Sequence, residues 1–197
     1  ILSEVLKSQN GIVFLGVNSN VRCCISLVEA NFPLAREVRE RAFSHCVKLV
    51  SANLPSCRCA EYGVFDGCSY LRTVKFGNNM EWVRDSVFVN CSNLEKVDFG
   101  AAYDFLGESE AFEGDYEHVT ALIFRCETIP NYLNLPNMVQ NLWTYYEWED
   151  DDGTEHPIEG YFYVPRALVS KYLEKFEGDF EEWQFRAIED YPEICEF

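Results

Sequence analysis

Apolar positions return along this chain in the same order. Residues 86–100, SVFVNCSNLEKVDFG, carry Phe88, Cys91, Leu94, Val97 and Phe99 at fixed offsets. Residues 63–77, GVFDGCSYLRTVKFG, repeat the pattern with Phe65, Cys68, Leu71, Val74 and Phe76. Residues 41–55, RAFSHCVKLVSANLP, repeat it with Phe43, Cys46, Leu49, Ala52 and Leu54. A weaker copy upstream has Val21, Cys24, Leu27, Ala30 and Phe32. One downstream keeps Phe112, Leu122 and Phe124 but has Asp115 in place of the cysteine. Lead positions 21, 43, 65, 88 and 112 are spaced by 22, 22, 23 and 24 residues. A period of this length marks a solenoid, because one unit cannot bury its own apolar face and stacked units can.

Within a unit, LEKVDF alternates: Val97 and Phe99 fall on one face, Lys96 and Asp98 on the other. That is strand periodicity. The spacing predicts a parallel ladder, one strand per coil, with coils ~4.8 Å apart and five coils spanning about 20–25 Å. Cys24, Cys46, Cys68 and Cys91 occupy one position of successive coils and so predict a column of thiols. Free cysteine suits such a place as a small buried hydrophobe. Disulfides between adjacent coils are open on geometry, but the nine cysteines are an odd number and no paired C-x-x-C motif supports zinc. Cys57 and Cys59 are the one tight pair. The column reads as reduced core thiols.

Beyond the repeats the periodicity changes. Leu168, Tyr172 and Phe176 follow Pro165 at helical spacing, with Val169 and Leu173 widening the stripe and Gly178 as a stop. This predicts a short helix that caps the last coil. Before it, NLWTYYEW and IEGYFYV flank EDDDGTEHP and read as a hairpin around an acidic turn. The domain reading is an N-terminal remnant or cap over 1–15, the solenoid over 16–130, and a hairpin and helical cap over 131–197 in the same domain.

The motif A-F-x-x-C-x-x-L-x-x-V-x-F resembles the BspA-type leucine-rich repeat, also called the Treponema pallidum type. The resemblance rests on Ala42-Phe43, Cys46 and Leu49, on Phe65, Cys68, Leu71 and Val74, on Phe88, Cys91, Leu94 and Val97, and on Ala111-Phe112. It covers about residues 16–130. Downstream, LIFRCETIP and YFYVPRALVSKYLEKF are similar to the last repeat and closing segment of such proteins from gut-dwelling bacteria. The resemblance implies an α/β or mainly-β fold: a right-handed leucine-rich-repeat stack of about five coils with a parallel β-ladder and a C-terminal hairpin and helix cap. It also implies a cell-surface or secreted protein that binds host proteins or other bacteria, with no shared catalytic residues.

Composition adds two limits. Net charge is −17, with Lys/Arg and Asp/Glu nearly balanced over 1–100 and five against 23 over 101–197. So acidic a half, with no basic stripe to offset it, argues against nucleic acid as partner. No apolar run is long enough to cross a membrane. No charged-then-apolar leader precedes the repeats and the chain begins at Ile1 rather than a methionine, as a fragment would, so that an export signal or anchor upstream would not be visible in this sequence. The many thiols would equally suit a reducing, cytoplasmic setting.

The candidate binding surface is the outward face of the ladder. Register gives it two rows: Glu29, Ser51, Thr73, Lys96 and Ala121, and Asn31, Asn53, Lys75, Asp98 and Ile123. Short polar side chains of mixed charge fit a protein or glycan and offer no chemistry for turnover. A second candidate is the aromatic cluster Trp143, Tyr145, Tyr146 and Trp148, able to stack on a sugar or grip a protein. Glu149-Asp150-Asp151-Asp152-Gly153 fails as a calcium loop, because Trp148 stands at the first ligand position. His45 beside Cys46 fails as a catalytic pair: its counterparts are Gly67 and Asn90, so the position looks indifferent to residue type. His118 and His156 have no common setting. No cofactor and no metal site are expected. The reading is a non-catalytic binding module, with a structural assembly or spacer component as the alternative.

Overall fold

The side chains of Val97 and Phe99 are fully buried, and so are their counterparts Val74 with Phe76, Ala52 with Leu54, and Leu122 with Phe124. Their shared inward aim is the product of strands laid in register. The computed structural model describes residues 7–9, 12–15, 23–101, 106–107, 111–112, 119–139 and 160–197. In chain order the strands are β1 (Lys7–Gln9), β2 (Ile12–Leu15), β3 (Glu29–Asn31), β4 (Ala35–Val38), β5 (Ser51–Leu54), β6 (Cys59–Ala60), β7 (Thr73–Phe76), β8 (Trp82–Val83), β9 (Lys96–Asp98), β10 (Leu106–Gly107), β11 (Ala121–Ile123), β12 (Tyr161–Val164) and β13 (Phe185–Ala187). The helices are α1 (Leu135–Met138), α2 (Val169–Lys175) and α3 (Pro192–Cys195).

Two sheets form. The ladder proper has seven strands in the order β13-β12-β11-β9-β7-β5-β3, all paired parallel. A second sheet has the order β1-β2-β4-β6-β8-β10, with only β1 and β2 antiparallel. From β3 to β10 each coil thus contributes one strand to the ladder and one to the second sheet, and the core lies between them. Nothing in the sequence pattern announced the second sheet. Its strands shrink to CA and WV, too short for an alternation to register.

The aromatic lead positions stack as a column. Phe43 lies 5.5 Å from Phe65, Phe65 lies 5.7 Å from Phe88 and Phe88 lies 4.9 Å from Phe112, ring centre to ring centre. A second column runs Phe76–Phe99–Phe124 at 6.1 and 5.0 Å. These spacings follow from the strand separation of about 4.8 Å that each coil must respect.

The thiols form the column expected of them. The Cys68 thiol donates to the Phe43 carbonyl at 3.1 Å, and the Cys91 thiol to the Phe65 carbonyl at 3.1 Å. Each cysteine therefore closes a turn against the carbonyl of the aromatic one coil earlier. That carbonyl also accepts the amide of its own coil's cysteine, Cys46 N–H to Phe43 at 3.0 Å and Cys68 N–H to Phe65 at 3.0 Å, so the thiol adds a second donor from the next coil at a place that admits only a small buried side chain, as between Asn90 and Ser92. Burial pushes the Cys46 thiol up to about 11, and raises Cys68 and Cys91 as well.

The same turn demands a left-handed backbone twice per coil. Two residues before the aromatic stand Arg41, Gly63 and Ser86, and two after it stand His45, Gly67 and Asn90, with φ between 55° and 72°. The His45 position is thus not indifferent to residue type. It accepts Gly, Asn and His because φ is positive there, a condition those residues tolerate best.

The C-terminal part departs from expectation at one element. Tyr161–Val164 is a rung of the ladder, flanked on both edges by β11 and β13, so it has no edge left for a hairpin with the NLWTYYEW segment. Its Phe162 and Val164 are buried like those of the coils before it, which makes continuation of the ladder the favourable pairing. After it, a 3-10 turn over Arg166–Leu168 leads into α2, and Leu168, Tyr172 and Phe176 are buried against the core as their spacing predicts. Gly178 follows with φ of 85°. Residues 188–197 then turn back across the outer side of the ladder.

Candidate interaction surface

The two outward rows are in the register read from the sequence. Glu29, Ser51, Thr73, Lys96, Ala121 and Tyr161 are successive partners, as are Asn31, Asn53, Lys75, Asp98, Ile123 and Tyr163. The two ends of this face differ in character. At the β3 end Glu29, Asn31 and Asn53 are exposed and Ser51 and Thr73 half-buried. The Asn53 amide donates to Asn31 Oδ1 at 3.3 Å, a side-chain bond that fixes both amides one strand apart. Beside them Ile25 and Val28 project into solvent.

At the other end the face is covered by its own chain. Ala121, Ile123, Tyr163 and Cys195 form a small apolar core of their own, with Tyr161, Ile188, Tyr191 and Ile194 packed on it. Arg186 lies over the Tyr161 ring at 3.2 Å and over the Tyr191 ring at 5.0 Å. Lys75, half-buried, donates to the Phe197 carbonyl at 3.0 Å, and Lys96 to the Ile194 carbonyl at 3.3 Å.

Asp98 is the clear correction to the expected surface. Alternation placed it outward, and it does point outward, but it is completely buried. Its carboxylate accepts the Gly100 amide at 2.9 Å and Arg125 Nε at 2.8 Å, while Arg125 also donates to the Cys195 carbonyl. Alternation tells which face a residue takes and is silent about what later chain folds onto that face. Asp98 is therefore unavailable to a partner, and Lys75 and Lys96 are engaged.

The aromatic cluster Trp143, Tyr145, Tyr146 and Trp148 and the acidic run at 149–153 lie outside the described residues, as do His118 and His156. His45 is exposed, and its Nδ1 is 2.8 Å from the Ser44 hydroxyl. Among the described residues no three His, Cys, Asp or Glu side chains come together as a metal site would require. No described helix is long and apolar enough to cross a membrane.

The second sheet carries a feature that the sequence did not single out. A groove of about 410 Å³ opens along its outer side, where Trp82 and Tyr62 meet Glu37, Glu61 and Arg84. The signal for it was the row Glu37–Cys59–Trp82, visible only once β4, β6 and β8 are known to pair.

Comparison with known proteins agrees with this architecture. Among solved structures, a leucine rich cell surface protein from Faecalibacterium prausnitzii A2-165 matches with a TM-score of 0.51 at 23% sequence identity. The match covers 69% of this chain and 35% of that one, so the chain spans about a third of its length. That likeness is one of fold. Among curated proteins no significant relative is found. The BspA type leucine rich repeat region matches six times over residues 18–119, more than half of the chain, and the chain belongs to that family.

Proposed function

We propose that the chain is a non-catalytic recognition module of a cell-surface or secreted protein, and that it binds a protein or glycan partner on the β3 end of the ladder face. The observation that carries this reading is the pair of in-register polar columns, Glu29–Ser51–Thr73 and Asn31–Asn53, exposed or half-buried on a parallel ladder. Their groups are amides, hydroxyls and a carboxylate, which donate and accept but activate nothing. The exposed Ile25 and Val28 beside them add apolar contact area of the kind that anchors an interface. Membership of a repeat family built for extended binding surfaces supports the same reading, as does the cell-surface description of the structural relative.

The test is a panel of extracellular matrix proteins and an immobilised glycan array, probed with the chain and with an Asn31→Arg/Asn53→Arg variant. Both positions are exposed, and a thermal melt checks that the variant, which gives up the Asn53–Asn31 bond, is folded. Loss of the signal in the variant supports the ladder face. A partner bound equally well by both would place recognition elsewhere.

A further inference from the structure

Three cations from successive levels of the stack, Lys75 on β7, Lys96 on β9 and Arg125 just after β11, lie in file across the ladder face. Each donates to a main-chain carbonyl of the segment that covers it: Lys75 to Phe197, Lys96 to Ile194, Arg125 to Cys195. Ile194 and Cys195 are the last residues of the single-turn α3, whose closing carbonyls have no partners within the helix. The Phe197 ring sits between the two ammoniums, 5.5 Å from each. The file therefore holds a peptide by its backbone and by one aromatic ring. Backbone carbonyls are common to every peptide, so only the ring and the surrounding charge select what binds.

The segment has two unequal parts. Tyr191, Ile194 and Cys195 are packed on Ala121, Ile123 and Tyr163. Glu196 and Phe197 are exposed and held through Lys75 and the two cation–π contacts, interactions that are weak at a solvent-facing site. The segment also carries two carboxylates, Glu193 and Glu196, on the side of the ladder that presents Lys75 and Lys96, whereas Arg125 is already charge-paired with Asp98. Two lysines side by side on the face of an acidic protein complement an acidic occupant.

We infer that Lys75, Lys96 and Arg125 form a peptide-recognition site, occupied in cis by residues 193–197, and that its external ligand is an acidic peptide carrying an aromatic residue that enters between the two lysines. This rests on the reading of the ladder face as the recognition surface, and extends the occupied area from the β3 end toward β11. While the cis segment is seated, only the fraction of molecules that has released it is competent, so apparent affinity for an external peptide falls by that fraction.

The experiment uses a fluorescent synthetic peptide of residues 188–197, with serine for Cys195, titrated into the full chain and followed by anisotropy. Two variants are expected to move in opposite directions. Phe197→Ala loosens the cis segment and raises affinity for the peptide about 5–10-fold. Lys75→Gln/Lys96→Gln loosens it too but removes the site, and lowers affinity by at least about 10-fold relative to Phe197→Ala. Phe197 is exposed and the lysines are half-buried, and a matching thermal melt shows that each variant is folded. Equal affinity in all three proteins, or no binding to the Phe197→Ala variant, overturns the inference. Loss of array binding by the Asn31→Arg/Asn53→Arg variant alongside such a result would leave the ladder-face reading intact and remove this one alone.

Discussion

Asp98 and Arg125 form an ion pair at 2.8 Å in which the carboxylate is almost wholly buried and the guanidinium keeps about a third of its exposure. The pair links one coil to the next and, through the Cys195 carbonyl, ties the ladder to the C-terminal segment. Removing one partner of such a pair is costly because the other is left buried and uncompensated. Arg125→Met is expected to lower stability by about 3 kcal/mol, the low end for buried pairs because Arg125 is partly solvated. Asp98→Asn/Arg125→Met should recover a good part of the loss, since asparagine still accepts the Gly100 amide. Urea denaturation of the three proteins checks this, and equal midpoints for the single and double variants would contradict it.

How much of this was legible beforehand follows a simple division. The repeat spacing located Phe43, Phe65 and Phe88 in one column and gave the outward register from Glu29 to Ala121 correctly. Those features depend on short-range periodicity. The burial of Asp98 carries no such mark, because it depends on residues 188–197, nearly a hundred positions away and without a period of their own. Tyr161–Val164 differs from the sequence pattern for a related reason: a strand flanked by an acidic turn reads as half a hairpin until its two ladder neighbours are known. The second sheet leaves no mark in the pattern, because a two-residue strand has no period.

The turns make a sharp contrast between two neighbouring requirements. A Cβ added to Gly77 would overlap the Pro55 carbonyl of the preceding coil, and backbone on both sides cannot yield. Gly77→Ala is expected to destabilise by about 3 kcal/mol or more, among the larger effects of single substitutions. At His45 the constraint is conformational instead, with φ of 60° and an exposed side chain. His45→Gly should be neutral or stabilising by up to about 1 kcal/mol, and His45→Val should cost about 1–2 kcal/mol. Thermal melts of the three variants test the distinction; a His45→Val protein as stable as the parent would remove the backbone argument.

The buried thiols predict a loss of stability in alkali. Burial raises Cys46 from its ordinary 9.0 to about 11 and Cys57 to about 12, and raises Cys91 too. Between pH 9 and 11 the unfolded chain therefore releases protons that the folded chain retains, so stability falls with rising pH in that window and is flat with respect to these groups below it. The urea midpoint should drop between pH 8.5 and 10.5, and Cys57→Ala should make the drop shallower. Exposed Cys23 and half-buried Cys24 should be alkylated first in the native protein, the others only on unfolding, as peptide mass mapping would show. A midpoint unchanged up to pH 10.5 would contradict this account.

Tyr172 offers the opposite case, a buried polar atom whose removal should help. Its ring is fully buried on α2, 6.1 Å from Phe176 and 5.9 Å from Phe185, and burial pushes its pKa well up. Its hydroxyl meets no hydrogen-bond partner among the described residues. A hydroxyl taken out of water without a partner carries a desolvation cost that the phenyl ring does not. Tyr172→Phe is therefore expected to stabilise by about 1 kcal/mol, while Tyr172→Ala, which loses the ring, should cost about 3–5 kcal/mol. The sign of the phenylalanine variant decides the matter. If Tyr172→Phe were destabilising in urea or heat, the hydroxyl would have a partner after all, and α2 would be held to the stack by a hydrogen bond rather than by apolar packing alone.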